Sequence, residues 1–299
     1  MTVRRLAAAS VEAFQLAEGP VWDTVRQRLL WVDILAGYVL EGSVDDTTGR
    51  ITVTRRHSFD SMVGAVAVSD DGTLLIAAQE HLVVLGIDGT RRAGPRIVPP
   101  GVRRRLNDGS TDPSGRFLVG TLSLDGPSQR ETLVRLEPDG RLTVLDTDLS
   151  LSNGLAWSTD GHTLYSVDTL QRTVCVRDYT HDDAERRVHL RIEDGHPDGI
   201  ALDAEEHLWV AVWGAGEIRR YSPTGALTSR LAVPAPHTSS VAFAGSDLRT
   251  LVITTASVDL TDAQRGQYPD SGRLFTARVD VPGAPVPSWS APADRTLPC

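Results

Sequence analysis

Lysine is absent from this chain of 299 residues, in which all 30 basic side chains other than histidine are arginine. Schiff-base chemistry, and any phosphate-binding loop that depends on its lysine, are thereby excluded. Cysteine is almost absent as well. Cys175 and Cys299 are unrelated thiols, one of them the last residue, and they build neither a disulfide framework nor a zinc knuckle. No run of 18 apolar residues occurs, and the apolar stretch of MTVRRLAAASVEAF is too short for a signal-peptide core. A soluble, cytoplasmic protein is the expectation. Basic charge is also in deficit, with 39 acidic against 30 basic residues and a net charge of -9. That balance argues against nucleic acid or an anionic membrane as a partner. Neither a Gly-x-Ser-x-Gly elbow nor a His-Glu-x-x-His helix appears.

A sustained 3.6-residue period is missing too. What is present is a series of short β-branched and apolar runs, such as RLLWVDI (28–34), RFLVGTL (116–122), TLYSVDT (163–169) and TLVITTA (250–256). Each follows a turn of the DDG, DPSG or TDG type, and another short apolar run precedes that turn. Aligned, six such units begin at residues 18, 64, 107, 153, 198 and 239, a spacing of 41 to 46 residues. About four strands per unit at that period predicts an all-β, six-bladed β-propeller filling residues 1–299 as one domain. RLFTARVD (273–280) is placed to close the ring with N-terminal sequence and hide the open edges.

The first strand of a propeller blade lines the central channel, so the start of each unit should lie at the channel mouth. That column reads Glu18, Gly64, Asn107, Asn153, Asp198 and Ser239. Asn or Asp before Gly is an ordinary turn residue, which covers Asn153-Gly154 and Asp198-Gly199 taken singly. It does not cover Glu18, nor the shared register of four oxygen-bearing side chains. Two carboxylates and two carboxamides on one axis suit a hard dication. Calcium is the first expectation, magnesium and manganese have the same preference, and zinc and iron(II) stay open. Four protein donors leave positions free for chemistry.

At these residues the chain resembles the regucalcin and gluconolactonase family, the senescence-marker-protein lactonases. The resemblance is carried by EGPVWD (18–23), RLNDGSTDPSGRFLVGTL (105–122), LSNGLAWSTDGHTLYSVDT (151–169) and HPDGIALDAEEHLWVA (196–211). It implies a six-bladed propeller with one divalent cation that hydrolyses small sugar lactones of the aldonolactone type. The family's metal ligands fall on Glu18, Asn153 and Asp198, its substrate-side asparagine on Asn107 and its substrate-binding arginine on Arg105. A substrate-contacting glutamate becomes Asp125, one methylene shorter, and a lysine after Asn-Asp-Gly becomes Ser110.

Asp198 is the expected general base, drawing a proton from water beside the metal. Arg105 and Asn107 are expected to hold the acyl oxygen and Asp125 a substrate hydroxyl. His196 and His237 each stand two residues before the column and are read as turn residues. Asp33 and Asp168, at equivalent strand ends, are read as structural. A monomer or weak oligomer whose partner is a small lactone is expected. Two alternatives compete with this reading. One is a calcium-binding propeller without turnover, and the other is a hydrolase of a different lactone, an ester or an organophosphate.

Overall fold

The computed structural model describes residues 4–291 and residue 297, so Cys299 lies outside the described residues. Its strands form six four-stranded antiparallel sheets, five of them meanders of consecutive strands. These are blades one to five, over residues 17–58, 63–96, 104–149, 152–191 and 196–232. Blade six is composite. Thr238–Ala244, Thr250–Thr255 and Phe275–Arg278 run outward in order, and the N-terminal strand Arg4–Ala8 pairs with Phe275–Arg278 as the outer edge. The ring is thus closed by joining both ends of the chain in one sheet, which satisfies an otherwise bare edge. The chain is a six-bladed β-propeller.

The hydrophobic pattern explains the radial arrangement. The inner three strands of each blade are largely buried on both faces, because each sheet packs face to face between two neighbours, and the outermost strands are mostly exposed. Six apolar clusters result among the described residues, one in each gap between adjacent blades. Leu118 and Leu133 meet Leu155 and Trp157 between blades three and four, for example, and Trp209 meets Phe243 edge-on between blades five and six. Cys175 is buried within blade four.

The inner strands Ala17–Asp23, Val63–Val68, Arg104–Thr111, Ser152–Trp157, His196–Leu202 and Thr238–Ala244 contact one another around the axis. All six are interrupted at the same place. The register with the second strand slips between Glu18 and Val21, Val63 and Ala65, Leu106 and Gly109, Asn153 and Leu155, Pro197 and Ile200, and Thr238 and Ser240. Each slip adds one residue to the inner strand, the signature of a β-bulge. The aligned column therefore sits inside the first strand, at its bulge.

The C-terminal segment crosses the other end of the channel. Pro282 and Ala284 bond to backbone of blade five, whereas Trp289 donates its N–H to Val68 in blade two and Ser290 to Gly115 in blade three. Trp289 is buried in the cluster between blades two and three. A short helix, Asp262–Gln267, interrupts blade six and starts on a capping box between Thr261 and Gln264. Among the described residues no helix is long and apolar enough to cross a membrane.

Candidate functional site

The bulges decide what the axis presents. A residue added to an inner strand swings its side chain out of the sheet's alternation and into the channel. At blade two no side chain is tolerated. A Cβ on Gly64 would lie 2.5 Å from the Asn107 carbonyl oxygen, so blade three packs directly on this backbone. At blade six the column residue is structural, since the Ser239 hydroxyl donates to the Ala17 carbonyl at 2.6 Å and ties blade six to blade one. The four remaining positions carry Glu18, Asn107, Asn153 and Asp198. All four are buried and all four line one cavity of about 480 Å³ at the upper end of the channel.

A hydrogen-bond chain fixes the carboxamides. The Arg105 guanidinium donates to Asn107 Oδ1 at 2.5 Å and to the Leu106 carbonyl at 3.1 Å. Asn107 Nδ2 donates to the Ser152 carbonyl at 2.8 Å and to Asn153 Oδ1 at 3.0 Å. Asn153 Nδ2 donates to the Thr169 hydroxyl at 3.0 Å, which in turn donates to the Pro197 carbonyl at 2.9 Å. Each carboxamide oxygen also accepts one of these bonds, Asn107 Oδ1 from Arg105 and Asn153 Oδ1 from Asn107, and keeps a second lone pair for another partner.

The carboxylates are not so provided for. Glu18 Oε2 and Asp198 Oδ1 are buried without a hydrogen-bond partner among the described residues. A buried ionised oxygen left bare is costly. The Glu18 carboxyl is accordingly pushed well above the usual range, first by burial and then by repulsion from Asp198 and Asp108, against the pull of Arg105. Asp198 is raised as well, by burial and by Asp108, again opposed by Arg105. Burial lowers Arg105 to about 10, with Glu18 and Asp198 acting in the other direction, so it stays cationic at neutral pH.

One arginine thus faces two buried carboxylates, to which Asp108 adds further negative charge from below, an excess that an added cation would offset. Two bare carboxylate oxygens and two carboxamide oxygens fit a hard, oxygen-seeking dication. Among the described residues no cluster of three or more His, Cys, Asp or Glu side chains offers a metal site, so any cation here relies on the carboxamides.

Asp125 is not part of this cavity. Its side chain is 62% exposed and paired at 2.6 Å with Arg103, itself 70% exposed. The cause is strand alternation. Pairing with blade three's inner strand continues to Leu124, whose N–H donates to the Arg103 carbonyl. Leu122 and Leu124 point into the cavity and Asp125 points away. Asp125 is therefore not among the expected site residues that the structure brings together here. Ser110 lies below the column instead, in a second cavity of about 330 Å³ that the C-terminal segment closes.

Asp108 lines that lower cavity too, held by the Gly109 N–H at 2.8 Å and raised to about 6 by burial. In the sequence Asp108 stands before Gly109, a step that reads as an ordinary turn. Its signal was its place inside a bulge, where adjacent residues point to opposite ends of the channel. His196 lines the upper cavity. His237 lies behind it, stacked on Trp213 at 4.2 Å, with Nδ1 donating to the Val258 carbonyl at 3.0 Å. Asp33 receives the Gln15 and Leu16 N–H groups, and Asp168 those of Ser150 and Leu151, so both serve blade structure.

Residues 16–257 match the SMP-30/Gluconolactonase/LRE-like region. A pentonolactonase of Haloferax volcanii is 34% identical over 95% of this chain and 97% of its own length. A 6-deoxy-6-sulfogluconolactonase of Pseudomonas putida is 32% identical over 92% and 95%. Among solved structures, a calcium-binding protein, regucalcin, of Agrobacterium tumefaciens superposes with a TM-score of 0.85 at 28% identity, covering 93% of this chain and 95% of that one. With its bulged column, its ring of six blades and these likenesses over almost the whole length, the chain belongs to the SMP-30/gluconolactonase/LRE-like family.

Proposed function

We propose that this protein is a metal-dependent lactonase that opens a small lactone at the upper end of its channel, sugar lactones being the substrates named for its relatives. The observation that carries this reading is the pair of buried, unpartnered oxygens, Glu18 Oε2 and Asp198 Oδ1, facing one cavity with two carboxamides and an arginine. Glu18, Asn153 and Asp198 would hold the cation, calcium suiting these oxygens best. When bound, a dication supplies Lewis acidity toward the ester carbonyl and acidifies water.

The chain's own groups supply the rest. Asp198 takes a proton from the attacking water as its oxygen bonds to the acyl carbon. Collapse breaks the bond from the acyl carbon to the ring oxygen, and the alkoxide that leaves takes up that proton, giving the open hydroxy acid. Arg105 commits Nη1 to Asn107 and Leu106, and its Nε and Nη2 have no partner among the described residues. These are donors for the acyl oxygen as negative charge develops there. A cation on the floor of the cavity suits turnover better than calcium storage, because it would oppose a purely structural dication.

The test is a turnover assay on chelator-stripped protein, with calcium, magnesium, manganese, zinc or iron(II) restored singly, against a panel of lactones. Stripped protein should be inactive and at least one metal should restore activity. Undiminished hydrolysis after stripping would refute the metal role, and binding of calcium with no hydrolysis of any lactone would favour a non-catalytic propeller.

A further inference from the structure

The floor of the upper cavity is polar, but its wall is not. Leu16, Leu35, Met62, Leu122, Leu124 and Trp213 surround the space above Arg105 and the column residues. Leu35, in the loop after the second strand of blade one, has its counterpart in Leu170 of blade four. They are 39% and 38% exposed at the mouth. Among the described residues, Thr169, His196 and Asp259 bring polar side chains to this wall, and Trp213 an indole N–H. The Thr169 hydroxyl is committed to Asn153 and Pro197, and His196 Nδ1 is in contact with the Thr169 carbonyl at 3.3 Å. On the side of blade three, alternation presents Leu122 and Leu124 and turns Asp125 outward.

A hydroxyl set against the leucines and Met62 loses its bond to water and finds no replacement there. Hydrocarbon set there gains from leaving water. We infer that the substrate is a lactone polar only around its ester, which carries hydrocarbon, either an alkyl chain or deoxygenated carbons, as its exocyclic substituent. This specifies the substrate of the same site and rests on the lactonase reading.

The experiment measures kcat/KM of the metal-loaded protein on δ-lactones of one ring size. The ring carbon that bears the ring oxygen carries hydrogen, methyl, propyl or pentyl, and gluconolactone is the hydroxylated comparison. Each methylene buried against the wall should raise kcat/KM about fourfold. Gluconolactone should fall below the propyl compound. The double substitution Leu35→Ser with Leu170→Ser, at positions exposed enough for the fold to tolerate it, should flatten that slope, and Leu35→Met should keep it. A flat alkyl series, or a tenfold preference for gluconolactone over every alkyl lactone, overturns the inference and leaves the lactonase standing. No turnover of any lactone with any metal overturns the lactonase reading, and the inference falls with it.

Discussion

Asp198 occupies a position where one atom can be removed from the chemistry without disturbing the packing. Its carboxyl is buried and its Oδ1 has no partner, so Asp198→Asn keeps size and shape and removes charge and basicity together. Loss of a positioned general base typically costs 10²- to 10⁴-fold. Steady-state turnover of Asp198→Asn should therefore fall at least about 10²-fold, with calorimetry still detecting a weakened metal site. Activity near wild type would show that no proton acceptor is needed at this position. The column residues were legible in the sequence because a repeat marks the positions where it departs from itself, and Glu18, Asn107, Asn153 and Asp198 are such departures. The orientation of Asp125 was not legible. It depends on whether blade three's ladder ends at Ser123 or runs on to Leu124, a difference of one residue that flips a side chain from one face to the other.

At the scale of the element, two devices position the site, and they differ in how openly the sequence displays them. The bulges add one residue to each inner strand and leave no compositional trace beyond an Asn-Gly or Asp-Gly step, which reads equally well as a turn. The C-terminal strap is the other device. It lies outside the repeat and has no strand pattern, so Pro285 to Ser290 looks like a tail. In the structure it spans the lower end of the channel, from blades five and six to blades two and three. Its anchor is Trp289, 3% exposed among Leu82, Val98 and Phe117. Burial on that scale makes the strap part of the core. Trp289→Ala should destabilise the protein by about 3–5 kcal/mol, as for other large-to-small aromatic truncations, and Trp289→Phe by clearly less. Urea unfolding of both variants checks this, and an Ala variant within about 0.5 kcal/mol of wild type would show that the strap is only laid on the surface.

For the whole molecule, the site is a place where the ring works against itself. Glu18 comes from blade one and Asp198 from blade five, with the neutral Asn107 of blade three and Asn153 of blade four beside them, so closing the ring forces the two carboxylates together. Arg105 offsets only part of this, and both carboxyls are driven upward by burial and by neighbouring negative charge. Folding without a cation therefore carries a penalty that a dication at the proposed site would remove, and affinity for that ion would draw on this relief as well as on coordination. Two opposite outcomes follow from one substitution. In chelator, Asp198→Asn should be more stable than wild type, because a bare buried charge is gone. With calcium in excess the order should reverse, since a ligand present at about 100 times its Kd adds about 2.7 kcal/mol to the state that binds it, and the variant binds less tightly. Thermal unfolding of both proteins, with chelator and across a calcium titration, should give midpoint curves that cross. A variant less stable than wild type under both conditions would mean that Asp198 is held by contacts in the fold and not by a cation, and the repulsion among Glu18, Asp108 and Asp198 would then have another remedy.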